Sequence, residues 1–116
     1  MKLEDRLDIL ELIANLAYKN DSLDYAGYKD LYTEDVLRSI RSQNGEPTYT
    51  QGRDKGTQNT VNRLKMLTEK GIQDRHYYLN PILDQTSDDE VKGKVGMIIA
   101  NQHRDEESLG DKNTGF

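Results

Sequence analysis

Cysteine is absent from the 116 residues of this chain, which excludes a disulfide framework and thiol chemistry. Long apolar runs are absent too: no stretch approaches the ~20 residues needed to cross a bilayer. The opening Met1-Lys2-Leu3-Glu4-Asp5 lacks the apolar core of an export signal. Basic charge is in deficit, with 16 Lys and Arg against 21 Asp and Glu and a net charge of −5. Nucleic-acid binding needs a clustered basic surface to neutralise phosphates, so that class is disfavoured. No phosphate-cradling Gly loop, nucleophile elbow or metalloprotease helix occurs, and neither does an internal repeat or a low-complexity segment. These absences predict a soluble, cytoplasmic, single-domain protein with neither nucleic acid nor membrane as partner.

Hydrophobic residues make up 34% of the chain and charged residues 32%, so the core must be small and efficiently used. Leu3, Leu7, Leu10, Ala14 and Ala17 recur at spacings of four and three, with Ile9, Ile13 and Leu16 on the flank. This predicts a long helix over Leu3–Lys19 with a broad apolar face. Asp21 or Ser22 can cap the next helix, in which Tyr25, Tyr28, Leu31 and Tyr32 share helical spacing. Val36–Ser42 reads as a strand, Asn44-Gly45 as a turn, and Thr48–Thr50 as a short returning strand. A further helix spans Gly52–Lys70 on the thin face of Val61, Leu64 and Leu67, and Gly71 is placed to leave it in a left-handed conformation.

The stretch Ile72–Glu106 organises the rest. It reads as two long strands joined at Ser87-Asp88-Asp89, whose short polar side chains favour a turn. Alternation puts Ile72, His76, Tyr78, Asn80 and Ile82 on one face of the first strand. The same rule puts Val91, Val95, Met97, Ile99, Asn101 and His103 on one face of the second, with Lys92, Lys94 and Arg104 on the other. A turn between Ser87 and Asp88 pairs His76 near Ile99, so both histidines share one largely apolar floor. Such a floor with a few convergent polar groups suits a small-molecule pocket. Ser108–Phe116 reads as a turn-rich loop with the first residues of another strand. Helices grouped before an antiparallel sheet predict an α+β fold, a curved sheet closed by the long N-terminal helix.

This order resembles the SnoaL-like branch of the NTF2-like superfamily. The strings that carry the resemblance are EDRLDILELIANLAYKNDSLDYAGYKDLYTEDV, QGRDKG and RHYYLNPIL, and it extends from about Leu3 to Phe116. It implies an α+β cone with a deep pocket, commonly dimeric through its sheet, and usually two more strands after Phe116, without which one sheet edge is unpaired. Members of this kind act without a cofactor as dehydratases, cyclases or isomerases on apolar cyclic carbonyl or hydroxyl compounds. Others, such as the β subunits of ring-hydroxylating dioxygenases, are largely structural.

Carried over by position, Asp21 matches the Asp after the family's first helix. His76 and Asn80 match its His-x-x-x-Asn strand, and either His103 or Asn101 matches the second His. The Tyr common five residues before that Asp is Leu16 here, with Tyr18 the nearest substitute. The expected site is therefore Asp21, His76 and His103 for catalysis, with Tyr18, Tyr78, Asn80, Met97, Ile99 and Asn101 lining the pocket and no metal. A two-His, one-carboxylate metal set of Asp21, His76 and His103 is the sharper alternative, but its ligands are scattered, with no paired spacing. The bland readings are a solvent-facing cap for Asp21, a half-buried strand histidine for His76, and core tyrosines with wet tips.

Overall fold

Two long strands form the largest element of the computed structural model, which describes residues 1–42 and 44–104. In chain order the elements are α1 (Leu3–Asp21), α2 (Tyr25–Lys29), β1 (Leu37–Arg41), β2 (Pro47–Gln51), α3 (Arg53–Glu69), β3 (Ile72–Ser87) and β4 (Glu90–His103). This is the expected α+β order of helices and antiparallel strands. Among the described residues the strands form two separate hairpins, β1 with β2 and β3 with β4. The strand anticipated within 108–116 lies outside the described residues.

The β3–β4 register matches the alternation argument over most of its length. His76 faces Ile99, Tyr78 faces Met97, and Ile72 faces His103. The expectation for Ile82 is corrected. Leu79 pairs with Gly96 but Ile82 pairs with Lys94, so Asn80 and Pro81 together oppose Val95. This is a bulge, and one extra residue moves every later side chain to the opposite face. Its chemistry is legible afterwards: Asn80 sits at φ +53°, and Pro81 has no N–H to give to a ladder.

α1 runs through Asp21, two residues further than the apolar spacing predicted. Its exit is made by Leu23 at φ +63°, with the Asp24 N–H donating to the Lys19 carbonyl at 2.9 Å. Asp21 and Ser22 are thus spent inside and at the end of α1, and neither caps α2. Asp24 does so, its carboxylate accepting from the Gly27 N–H at 2.9 Å. α2 closes at Lys29, so Leu31 and Tyr32 lie in the following turns rather than in the helix. Gly71 leaves α3 at φ +72°, as its position predicted.

Among the described residues few apolar side chains are buried: Ala17 of α1, Tyr28 of α2, and Val61 and Leu64 of α3. Thr57, fully buried, satisfies its hydroxyl by donating to the Arg53 carbonyl of the preceding turn. The core therefore sits where the C-terminal half of α1 meets α2, α3 and the first half of β3. The N-terminal half of α1 lies outside it, and Leu3 and Leu7 are exposed.

Candidate functional site

Asp21 and His76 meet in the core although 55 residues separate them. The last turn of α1 carries Asp21 to the edge of β3. Its carboxylate accepts from the His76 backbone N–H at 2.8 Å through Oδ2, and meets the ring Nδ1 at 2.6 Å through Oδ1. Both side chains are nearly sealed from solvent, at 6% and 5% exposure for His76 and Asp21. A carboxylate can only accept hydrogen bonds, so the proton of this contact resides on Nδ1. In the neutral ring Nε2 then bears the lone pair, and it has no partner among the described residues. Oδ2 does a second job: it covers a backbone donor that would otherwise lie unpaired at a strand edge.

A cavity of about 570 Å³ opens beside this pair. Leu10, Ile13, Ala14 and Ala17 of α1 form one wall, and Tyr18 stands at the rim. His76 and Tyr78 line the other side, together with Tyr77, Leu79 and Pro81 of the same strand. The lining is mostly apolar, with the dyad and the neighbouring Arg75 as its charged or titratable points, the pattern of a small-molecule site. Tyr78 stacks beside His76 with ring centroids 6.4 Å apart. Burial pushes its hydroxyl pKa up, and the neighbouring Tyr28 and Asp21 push the same way.

The other expected residues are placed elsewhere. Asn101 donates its side-chain amide to Asp74, across the hairpin from it. His103 lies four residues beyond Ile99 on β4, opposite Ile72, and does not line the dyad's cavity. At ~3.3 Å per residue, that offset puts it roughly 13 Å along the strand from the level of His76. Met97 and Ile99 share the dyad's face but are exposed and outside the cavity wall, and Asn80 sits in the bulge. Tyr18 is 71% exposed and contributes only to the rim. Among the described residues no three His, Cys, Asp or Glu side chains cluster as a metal site, and His103 stands apart from Asp21 and His76.

Two features escaped the sequence reading. Asp74, two residues before His76 and on its face, is buried with its side chain 1% exposed. It pairs with Arg63 of α3 at 2.5 Å and accepts from Asn101, tying α3, β3 and β4 together. Alternation from His76 carried the signal for Asp74; nothing in the sequence indicated Arg63. The second feature is a phenol cluster. The Tyr28 and Tyr32 hydroxyls are 3.0 Å apart, and the Arg38 guanidinium lies 5.0 Å from the Tyr32 ring centre. Burial first, then the Tyr28 hydrogen bond, pushes the Tyr32 hydroxyl far above its ordinary range.

Comparison with solved structures places this geometry in a known fold. ActVI-ORFA from Streptomyces coelicolor superposes with a TM-score of 0.74 at 21% identity, covering 91% of this chain and 74% of that one. A protein from Catenulispora acidiphila gives 0.62 at 19% identity, covering 84% and 66%. The β subunit of benzoate 1,2-dioxygenase from Burkholderia mallei gives 0.59 at 16% identity, covering 92% and 85%. The chain thus spans about two thirds to three quarters of the first two. No curated protein matches it by sequence. The sequence pattern of the SnoaL-like domain, however, matches residues 1–114. With that match over nearly its whole length, and with the helices and antiparallel hairpins of the NTF2-like fold around a buried Asp–His pair, the chain belongs to the SnoaL-like domain family.

Proposed function

We propose that this protein binds a small apolar cyclic compound beside Asp21 and His76 and moves a proton on it, as a cofactor-independent lyase or isomerase. One observation carries the reading: a buried carboxylate holds His76 through both its amide and its Nδ1, which fixes the tautomer and leaves Nε2 to act as base. His76 Nε2 takes a proton from carbon next to a carbonyl. The electron pair moves onto the carbonyl oxygen, which accepts a hydrogen bond from Tyr78. The imidazolium then returns the proton to another carbon in an isomerisation, or to a departing hydroxyl, which leaves as water, in a dehydration. Asp21 stabilises the transient imidazolium. Tyr78, rather than His103 or Asn101, holds the developing oxyanion.

A panel of cyclic carbonyl and hydroxyl compounds, screened by thermal shift, selects the substrate class, because a ligand of the folded state alone raises the melting point. Turnover of the selected class should fall by about 10²–10⁴-fold in His76→Ala, and strongly in Asp21→Asn, with far-ultraviolet circular dichroism unchanged. Turnover at the wild-type level in both variants refutes the reading.

A second reading, that of an assembly module without chemistry, has its own support. The fold is like that of a dioxygenase β subunit, and Met97 and Ile98 of β4 stand exposed. A homodimer through the sheet fits the same observation. This reading predicts no turnover on any class together with a stable oligomer in sedimentation.

A further inference from the structure

Five consecutive residues of β3, from Arg75 to Leu79, line the cavity beside the dyad. Side chains alternate faces along a strand, so one face alone would supply only every second residue. The cavity therefore runs along an edge of β3 and takes in both faces. It is the edge away from β4, where Asp21 meets the His76 N–H. His76 and Tyr78 come to it from one face, and Arg75, Tyr77 and Leu79 from the other.

The two permanent charges on this wall differ in what they still offer. Asp21 is the one carboxylate among the lining residues, and both of its oxygens are taken by His76. Arg75 is the one permanent cation among them, and it is half-buried. Its five N–H donors form a planar fork, more than a single partner consumes, so an arginine that bonds one group still has donors for another. A carboxylate matches such a fork with two parallel bonds. Beside the apolar wall of Leu10, Ile13 and Ala14, water screens that attraction less than at an open surface.

We infer that Arg75 is a specificity residue of this cavity and receives a carboxylate carried by the cyclic ligand. Arg75 and His76 are consecutive, with Cα atoms about 3.8 Å apart, so the acid and the reacting carbon belong to the same end of the ligand, on either side of the strand edge. Only the place of the reacting carbon rests on the proposed function. The ligand class narrows from apolar cyclic compounds to cyclic acids. His76 is the other group at this edge able to hold an acid, and pH tells the two apart. A guanidinium stays charged throughout, whereas an imidazole carries charge only while protonated.

The test uses the full chain and three matched pairs of rising ring number: benzoate with benzamide, 2-naphthoate with 2-naphthamide, and anthracene-2-carboxylate with its amide. Binding is read by calorimetry at pH values of about 6 and 9, on either side of the histidine range. In at least one pair the acid should bind about tenfold or more tighter than the amide, by the same ratio at both pH values. Arg75→Met should bring that ratio to about one with amide affinity retained, and Arg75→Lys should keep part of it. Ala14→Trp fills the cavity from an exposed position on α1, and should weaken acid and amide together. Circular dichroism and retained amide affinity report that the Arg75 variants are folded. Should Arg75→Met not fold, Arg75→Gln carries the same comparison. Four results overturn the assignment: no acid binds, every pair binds equally, the ratio survives in the folded Arg75 variants, or Ala14→Trp leaves acid binding intact. A ratio that fades as pH rises also overturns it, and gives the charge to His76. His76→Ala should lose turnover and keep the ratio. A ratio that depends on Arg75, with no turnover of any compound, defeats the proposed function alone. A ratio independent of Arg75, with turnover still dependent on His76, defeats this assignment alone.

Discussion

Asp74 and Asp21 show how one residue type acquires different work from its partners. Both are buried carboxylates on or against the same face of β3. Asp21 faces an imidazole, whereas Asp74 accepts from Asn101 through Oδ1 and meets Arg63 through Oδ2 as an ion pair without a hydrogen bond to that oxygen. Arg63→Met should therefore cost about 1–3 kcal/mol, because it leaves a buried charge without its cation; the figure is held down by the 42% exposure of Arg63. The double variant Arg63→Met with Asp74→Leu should recover much of that loss, since apolar replacement of a buried pair is often neutral. Urea melts of the three proteins check this. At this scale the sequence was informative where spacing alone decides. His76 and Tyr78 were identifiable as cavity residues by alternation. Asp21 and His76 were each named as site residues through the family strings, but their direct pairing was not legible. Arg38 and Arg63 were not legible, because the partner of a long side chain depends on how helices dock and not on its own neighbours in sequence.

At the scale of elements, the bulge in β3 is the instructive departure. A strict period of two carried the reading correctly from Ile72 to Tyr78, then misplaced Ile82, because Asn80-Pro81 inserts a residue into the ladder. Asn80 holds φ +53°, which a short amide side chain tolerates and a β-branched one does not. Asn80→Val should destabilise the hairpin by about 1–2 kcal/mol, and Asn80→Gly should be close to neutral; thermal denaturation of the two variants distinguishes them. If both cost the same, the backbone conformation is not what the position requires. The helices were legible for the same reason that the bulge was not. Apolar spacing over many residues averages out local exceptions, and boundaries shifted by only a residue or two, at α1 and α3. α2 was overextended because Tyr32 keeps helical spacing in a segment that has already turned.

For the whole molecule, stability should fall with rising pH above the ordinary tyrosine value of 10.0. Tyr32 and Tyr78 have hydroxyl pKa values raised by burial. Below pH 10 both the folded and unfolded chains keep these protons, and the full contribution is present. Above it the unfolded chain releases them first, so unfolding is favoured progressively. Denaturant midpoints between pH 8 and 11 should show this decline, and Tyr32→Phe with Tyr78→Phe should flatten it. An equal decline in the double variant would assign the effect to other groups. The α+β class was readable from element order. Each hairpin was readable from its turn residues, but that the two stand as separate sheets among the described residues was not, since alternation reports faces and says nothing of which edges join.

The two bonds to Asp21 carry a practical consequence. One of them is made by a backbone amide, so the candidate base comes with its own clock. The amide proton of His76 can exchange with deuterated water only when the Asp21 carboxylate lets go of it. That event also threatens the bond to Nδ1, because one carboxylate holds both. The exchange rate at this single amide therefore measures how often the Asp21–His76 arrangement comes apart, with no ligand needed. If α1 frays from β3 locally, His76 will exchange faster than the ladder amides beside it; if the site opens only with the fold, they will exchange together.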